Sequence, residues 1–302
     1  MLPVDWLWTL TMMTRREFVA TVGSATLGSA IAPHGAGATS LASALAAIER
    51  STGGRLGVTA IDTRSGTRHG HRADERFPLC STFKLLAASA ILSRVDAGKD
   101  RLDRRIRFEA HDLVTYSPVT KDHTGAPGMT LEDLCAAAMT ASDNTAGNLL
   151  LTALGGPARL TAYTRSLGDS VTRLDRMEPE LNEAAPGDPR DTTSPAAMAS
   201  NLNALVLGDV LISSSRERLT HWLLTSKTGD ARLRAGVPVR WRVGDKTGSG
   251  ASGTANDVGV LWTPRGAPII VAVYLTEAKV DGADRSAAIA AVARAVTSHI
   301  AP

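Results

Sequence analysis

Strand-like runs lie near the two ends of this chain, and helix-like runs fill the space between them. Gly57 to Asp62 reads as a strand, Arg64-Ser65-Gly66 as a turn and Thr67 to Arg72 as the return strand. The next strand patterns are Val239 to Lys246, Asp257 to Thr263 and Ile269 to Thr276, the last two joined through Pro264-Arg265-Gly266. Between them the apolar spacing is helical. Ser81 to Asp96 carries a stripe of Leu85, Leu86, Ala88, Ile91, Leu92 and Val95. Thr130-Leu131-Glu132-Asp133 is a capping-box pattern opening a helix through Met139. Pro157 to Leu167 has Pro near its start and Gly168 past its end. Ser194-Pro195 opens another helix and Arg216 to Leu224 forms one more. Ser40 to Arg50 and Arg285 to Ile300 are terminal helices. Arg173 to Asp191 has prolines and acids but no period, so it reads as a long loop of the kind that usually serves function. This order predicts an α+β fold: a mostly antiparallel five-stranded sheet made from both ends, terminal helices packed on it, and an all-helical insertion. The α/β part then covers about 39–75 and 235–302, and the helical part about 76–234.

The first 38 residues read as an address rather than as fold. Thr14-Arg15-Arg16-Glu17-Phe18 is a twin-arginine export pattern, Phe18 to Ala32 is a short apolar stretch, and Ala36-Gly37-Ala38 is a cleavage pattern. The expected mature chain is 39–302, a single domain in the periplasm or secreted. It has no later apolar run of ~18 residues, so no membrane association is expected once the signal is removed. Hydrophobic residues make up 43% and charged residues 21%, an ordinary globular balance. The net charge of +3 and the seven Phe and Tyr residues argue against nucleic-acid binding. The one basic cluster, Arg101 to Arg107, contains Asp103 and reads as solvated surface. Cys80 and Cys135 lie in apolar helical surroundings, consistent with buried thiols.

Three short motifs carry chemistry. In Ser81-Thr82-Phe83-Lys84 the two polar side chains share one helix face, so a neutral Lys84 amine would reach the Ser81 hydroxyl and activate it. Ser142-Asp143-Asn144 ends one helix and is able to cap the next. Lys246-Thr247-Gly248 follows a strand, where a cation and an edge backbone suit an anionic group. Each has a bland reading alone. Together, once each and in this order, they are the motif set of class A β-lactamases and penicillin-binding proteins. The chain therefore resembles a class A serine β-lactamase over nearly all of 39–302. A fourth segment, Arg176-Met177-Glu178-Pro179-Glu180-Leu181-Asn182, resembles that family's omega loop, a segment not expected in D,D-peptidases.

The resemblance implies a cleft between sheet and helices, with Ser81 as nucleophile, Lys84 as proton acceptor, Ser142 as proton shuttle and Glu178 as general base for deacylation. It further implies that Asn182 helps hold the deacylating water and that Asn144 binds the substrate side-chain amide. Lys246, Thr247 and Gly248 would meet the substrate carboxylate, the Ser249 backbone N–H would form half of the oxyanion hole, and Tyr116 would line the cleft mouth. Arg176 would pair with Asp191 across the loop base. Many members place an arginine where this chain has Ala255, and Arg232 stands where others place a substitute that binds the carboxylate. Family disulfides would pair Cys80 with the position of Gly250, or Cys135 with that of Ala88, so two free thiols are expected. No metal or cofactor is implied; the partner is a small β-lactam and the expected state a monomer. Gly248 to Gly253 fits G-x-G-x-x-G, but a strand rather than a helix is expected after it. His69 and His71 offer half a metal site with no further ligand at sensible spacing. The rival functions are a D,D-peptidase and a penicillin-binding sensor that stays acylated.

Overall fold

The computed structural model describes residues 40–264 and 266–301. The expected signal segment, 1–38, lies outside them. Helix α1 (Leu41–Thr52) starts where the Ser40 hydroxyl accepts from the Ser43 N–H at 3.2 Å. Strands β1 (Arg55–Asp62), β2 (Arg68–His71) and the two-residue β3 (Phe77–Pro78) follow. A 3₁₀ turn, Cys80–Thr82, leads into α2 (Phe83–Asp96). Strands β4 (Arg105–Phe108) and β5 (Gly125–Thr130) pair with each other ahead of α3 (Leu131–Thr140), α4 (Asn144–Leu154) and α5 (Pro157–Ser166). After the long loop come β6 (Thr192–Thr193), which pairs with β3, then α6 (Pro195–Val206), α7 (Ser213–Leu224) and the single turn α8 (Leu233–Gly236). Strands β7 (Arg242–Gly250), β8 (Thr254–Trp262) and β9 (Ile269–Thr276) and helix α9 (Gly282–Ile300) close the chain.

The main sheet has the order β2-β1-β9-β8-β7, with every neighbouring pair antiparallel. The first strand after α1 thus pairs with the last strand of the chain, as the distribution of strand patterns requires. One face buries Val58, Ala60, Val271 and Val273 against Leu45 of α1 and Ile289, Val292 and Val296 of α9. The other buries Ile61, Ala272 and Tyr274 with the helical half. Each fully buried Val, Leu or Ile contributes about 1.5–3 kcal/mol of transfer free energy. No described helix is long and apolar enough to cross a membrane.

Four expectations change. Helix α2 has no solvent face over its first ten residues: Phe83 to Leu92, including Lys84, are all buried, and Val95 of the expected stripe is only half-buried. Strand β7 begins at Arg242, not at Val239, which is fully exposed beside a turn closed by the Trp241 N–H on the Pro238 carbonyl at 2.9 Å. The strand runs on through Lys246-Thr247-Gly248 to Gly250, and β8 starts at Thr254 rather than Asp257. Apolar patterning misses these ends because their small polar residues are buried by hydrogen bonding instead of by apolar packing. Finally, the second half of the Arg101–Arg107 surface segment is strand β4. The sequence Gly248 to Gly253 is a strand end and turn followed by β8, as expected.

Candidate active site

Ser81 stands in the 3₁₀ turn at the head of α2, with Lys84 one turn on, so both side chains enter the same space. Lys84 Nζ donates to Ser81 Oγ at 2.8 Å, to Asn144 Oδ1 at 2.7 Å and to the Ser142 carbonyl at 2.9 Å. It also lies 3.0 Å from Glu178 Oε1, and both side chains are fully buried. Ser81 Oγ donates to the same Glu178 oxygen at 3.3 Å. Serine, amine and carboxylate thus form one closed triangle. Burial lowers the Lys84 pKa, and the adjacent Glu178 charge opposes that fall. Gly147 makes room for the ammonium stem: a Cβ there would come 2.8 Å from Lys84 Cε.

The second wall comes from the turn between α3 and α4. Asp143, fully buried, caps α4 by accepting from the Ala146 N–H at 2.8 Å. Its other oxygen accepts the Val119 and Thr120 N–H groups, each at 2.9 Å, which fastens the preceding loop to the helix. Asn144 Nδ2 donates to the Thr115 carbonyl at 2.8 Å, and Tyr116 beside it is exposed at the rim. Ser142 Oγ accepts from Lys246 Nζ at 3.0 Å, which joins this wall to β7.

On β7, Lys246 is fully buried, and burial together with the nearby Lys84 charge lowers its pKa to about 7. Thr247 Oγ1 is 2.6 Å from Thr228 Oγ1. Arg232 reaches the same strand end: Nη1 donates to the Gly248 and Asn256 carbonyls at 2.8 and 2.6 Å, and Nη2 to Ser249 Oγ at 2.7 Å.

Glu178 is carried by the irregular loop, whose one regular piece is a 3₁₀ turn at Glu180–Asn182. Asn182 Nδ2 donates to Glu178 Oε2. Arg176 Nε donates to Asp191 Oδ2 at 2.6 Å, and Asp191 Oδ1 accepts the Asp175 and Arg176 N–H groups. Hydrogen bonds thus link Ser81, Lys84, Ser142, Asn144, Glu178, Asn182 and Lys246 into one cluster, Arg232 reaches Gly248 and Ser249 on the same strand end, and Arg176 and Asp191 lie at the base of the loop. Cys80, Tyr116, Ser142 and Asp191 have positive φ without being glycine. Such conformations cost about 1–3 kcal/mol each and persist where surroundings enforce them.

One residue escaped the motif reading. Asn148, one turn after Asn144 on α4, accepts the Glu178 N–H with Oδ1 and donates to the Glu178 carbonyl with Nδ2, both at 2.8 Å. The available signal was weak: an asparagine, a poor helix former, inside an apolar helix. Cys80 and Cys135 are buried free thiols, and burial raises both pKa values far out of the nucleophilic range.

The model of the "Beta-lactamase enzyme family" matches residues 40–300. Beta-lactamase L2 of Stenotrophomonas maltophilia is 46% identical over 297 residues, covering 94% of this chain and 98% of that protein. Beta-lactamase AST-1 of Nocardia asteroides is 51% identical over 255 residues, 84% of this chain and 82% of that protein. Among solved structures, an ancestral class A beta-lactamase superposes with a TM-score of 0.84 at 63% identity, covering 85% of this chain and 99% of that one. With matches of this extent, the chain belongs to the beta-lactamase enzyme family, in its class A serine branch.

Proposed function

We propose that the chain hydrolyses the β-lactam ring of penicillins and cephalosporins through a serine acyl-enzyme, and so confers resistance to these antibiotics. The observation that carries this reading is the buried triangle of Ser81, Lys84 and Glu178. Lys246, Thr247 and Arg232 receive the substrate carboxylate, and Asn144 the side-chain amide. The lactam oxygen sits against the backbone N–H groups of Ser81 and Ser249, where each donor is worth ~10²–10³ in rate. Ser81 Oγ attacks the carbonyl carbon and gives its proton either to neutral Lys84 or, through a water, to Glu178. The C–N bond breaks, and the ring nitrogen takes a proton from Ser142, which is re-protonated from the Lys84 and Lys246 side. Glu178, having passed any proton it took to Lys84 at 3.0 Å, then removes a proton from water, the resulting hydroxide attacks the ester carbon, and Ser81 Oγ departs with the proton that Glu178 took up. A positioned base contributes ~10²–10⁴ in such a step.

The signal segment, Thr14-Arg15-Arg16-Glu17-Phe18 with Ala36-Gly37-Ala38, belongs to the same proposal: export by the twin-arginine route to the periplasm or exterior and action there as a monomer without nucleic acid. The family match begins at residue 40, just after the expected cleavage pattern.

Intact mass after addition of penicillin tests the reading. The parent should show no lasting adduct, and Glu178→Ala should hold one acyl group per chain. A persistent adduct on the parent would favour the sensor or D,D-peptidase. Turnover by Glu178→Ala at the parent rate would remove the deacylation role.

A further inference from the structure

Behind the β7 end that faces the cleft lie two acids with no part in the chemistry above. Asp245 directly precedes Lys246, and Asp257 stands opposite Thr247 in the β7–β8 register. Both are fully buried. In that register Asp245 is opposite Gly259, so the two acids are diagonal neighbours on one face of adjoining strands, a placement from which carboxyl groups can share a hydrogen bond. Each also keeps one oxygen, Asp245 Oδ2 and Asp257 Oδ1, with no donor among the described residues. A carboxylate owns no hydrogen, so two of them form such a bond only if one carries a proton. Burial raises both pKa values, and for Asp257 the neighbouring Asp245 charge adds to it. The opposing charges are Arg234, Arg232 and Lys246.

The remaining contacts of the pair flank one residue. Asp257 Oδ2 accepts the Leu233 N–H at 3.1 Å. Asp245 Oδ1 accepts Arg234 Nη2 at 2.6 Å and Nε at 3.0 Å. Residues 233 and 234 are thus pinned immediately after Arg232. The segment's start is pinned too: a Cβ on Gly229 would fall 1.5 Å from Asp245 Oδ2, so only glycine lets it lie there. The Gly229 carbonyl in turn accepts the Arg232 N–H at 2.9 Å.

We propose that Asp245 and Asp257 hold one proton between them and act as a positioning pair that aims Arg232 at the substrate carboxylate. The aiming half rests on the proposed role of Arg232; the shared proton does not. With a single proton the pair carries one negative charge beside Arg234 and still offers acceptors on both sides. Two bare carboxylates would repel and loosen the segment.

The test compares the parent, Asp257→Asn and Asp257→Ala in the full-length enzyme. Infrared spectra at neutral pH should show a carboxylic-acid carbonyl band that Asp257→Asn removes. Its absence from the parent overturns the shared proton. Asp257→Asn, which keeps a hydrogen between the two groups, should stay within about threefold of parental kcat/KM. Asp257→Ala should lose about tenfold, mostly as a raised KM, and nothing further when combined with Arg232→Ala. Equal loss in the Ala variant with and without Arg232, or loss confined to kcat, overturns the aiming role. Unchanged kcat/KM in Arg232→Ala alone overturns it through the carboxylate reading, while the infrared band still decides the proton. If Asp257→Ala does not fold, Asp257→Asn decides: normal folding with a tenfold rise in KM overturns the pair.

Discussion

The wall that carries Ser81 and the loop that carries Glu178 meet around the Glu178 side chain and backbone, yet they are held by opposite means. Helix α2 is buried from Phe83 to Leu92, and Asn144 and Ser142 reach Lys84 from an adjoining helix cap. Its geometry follows from apolar packing, which is dense, non-directional and indifferent to pH. The segment 173–191 has only one 3₁₀ turn. It is fastened by charge and amide contacts: Arg176 to Asp191 at its base, Asn148 around the Glu178 backbone, and the Ala251 N–H on the Asn182 carbonyl at 2.9 Å. On the proposed reading the wall forms the acyl-enzyme and the loop removes it. The two halves of the reaction should therefore respond differently to mutation.

The largest effect should come from the wall. Lys84→Ala removes a group that touches Ser81, Asn144, Ser142 and Glu178 at once. Acylation, followed by rapid mixing with a chromogenic cephalosporin, should slow by at least ~10³-fold. A fall below tenfold would make the wall dispensable and end the comparison. Arg176→Ala should act on the other half. It leaves Asp191, 1% exposed, with backbone donors but no cation, which costs about 2 kcal/mol of stability. Deacylation should fall by roughly 30-fold with acylation little changed, so that a slowly clearing adduct becomes visible by mass. Equal slowing of both steps would mean that loop and wall are one mechanical unit.

Asn148→Ala sharpens the same boundary, because this residue belongs to the wall but serves the loop. Losing both backbone contacts should slow deacylation about tenfold, with a smaller effect on acylation. If acylation suffers more, Asn148 matters through the packing of α4 and not through Glu178.

The wall was legible in the sequence and the loop's fastening largely was not. Ser81 with Lys84 obeys helical spacing, and Ser142-Asp143-Asn144 obeys capping chemistry, so local rules place both motifs. The five strands of the main sheet and its assembly from the two chain ends followed from where the apolar runs fall, while the short pairs β3-β6 and β4-β5 did not. The omega-like loop has no period, and its shape depends on contacts with α4 and the β7–β8 turn that only the folded chain creates. Asn148 shows this: its two bonds span 30 residues. The late end of β7 and the early start of β8 have a related cause. Thr247, Thr254 and Asn256 are buried through hydrogen bonds to neighbours distant in sequence, so hydropathy does not register them as interior. Asp245 and Asp257 were invisible for the same reason.

The smallest effect concerns pH and a third wall, β7, which is packed like α2 but charged like the loop. With its pKa lowered to about 7 by burial and by Lys84, Lys246 is a cation on the acid side of that value and neutral above it. Carboxylate binding by the free enzyme should therefore weaken as pH rises, giving kcat/KM an alkaline limb that starts near neutrality. The sign for stability is the reverse. The folded state holds this proton less tightly than the unfolded chain, whose lysine titrates at its ordinary 10.5. Stability from this group should therefore increase as pH climbs from about 7 toward 10.5. Lys246→Arg keeps the charge throughout, since a guanidinium does not titrate in this range. It should cost only a few-fold in kcat/KM at neutral pH while moving the alkaline limb upward. A limb that stays in place would assign it to Lys84, and β7 would then join the helix wall as a purely mechanical support.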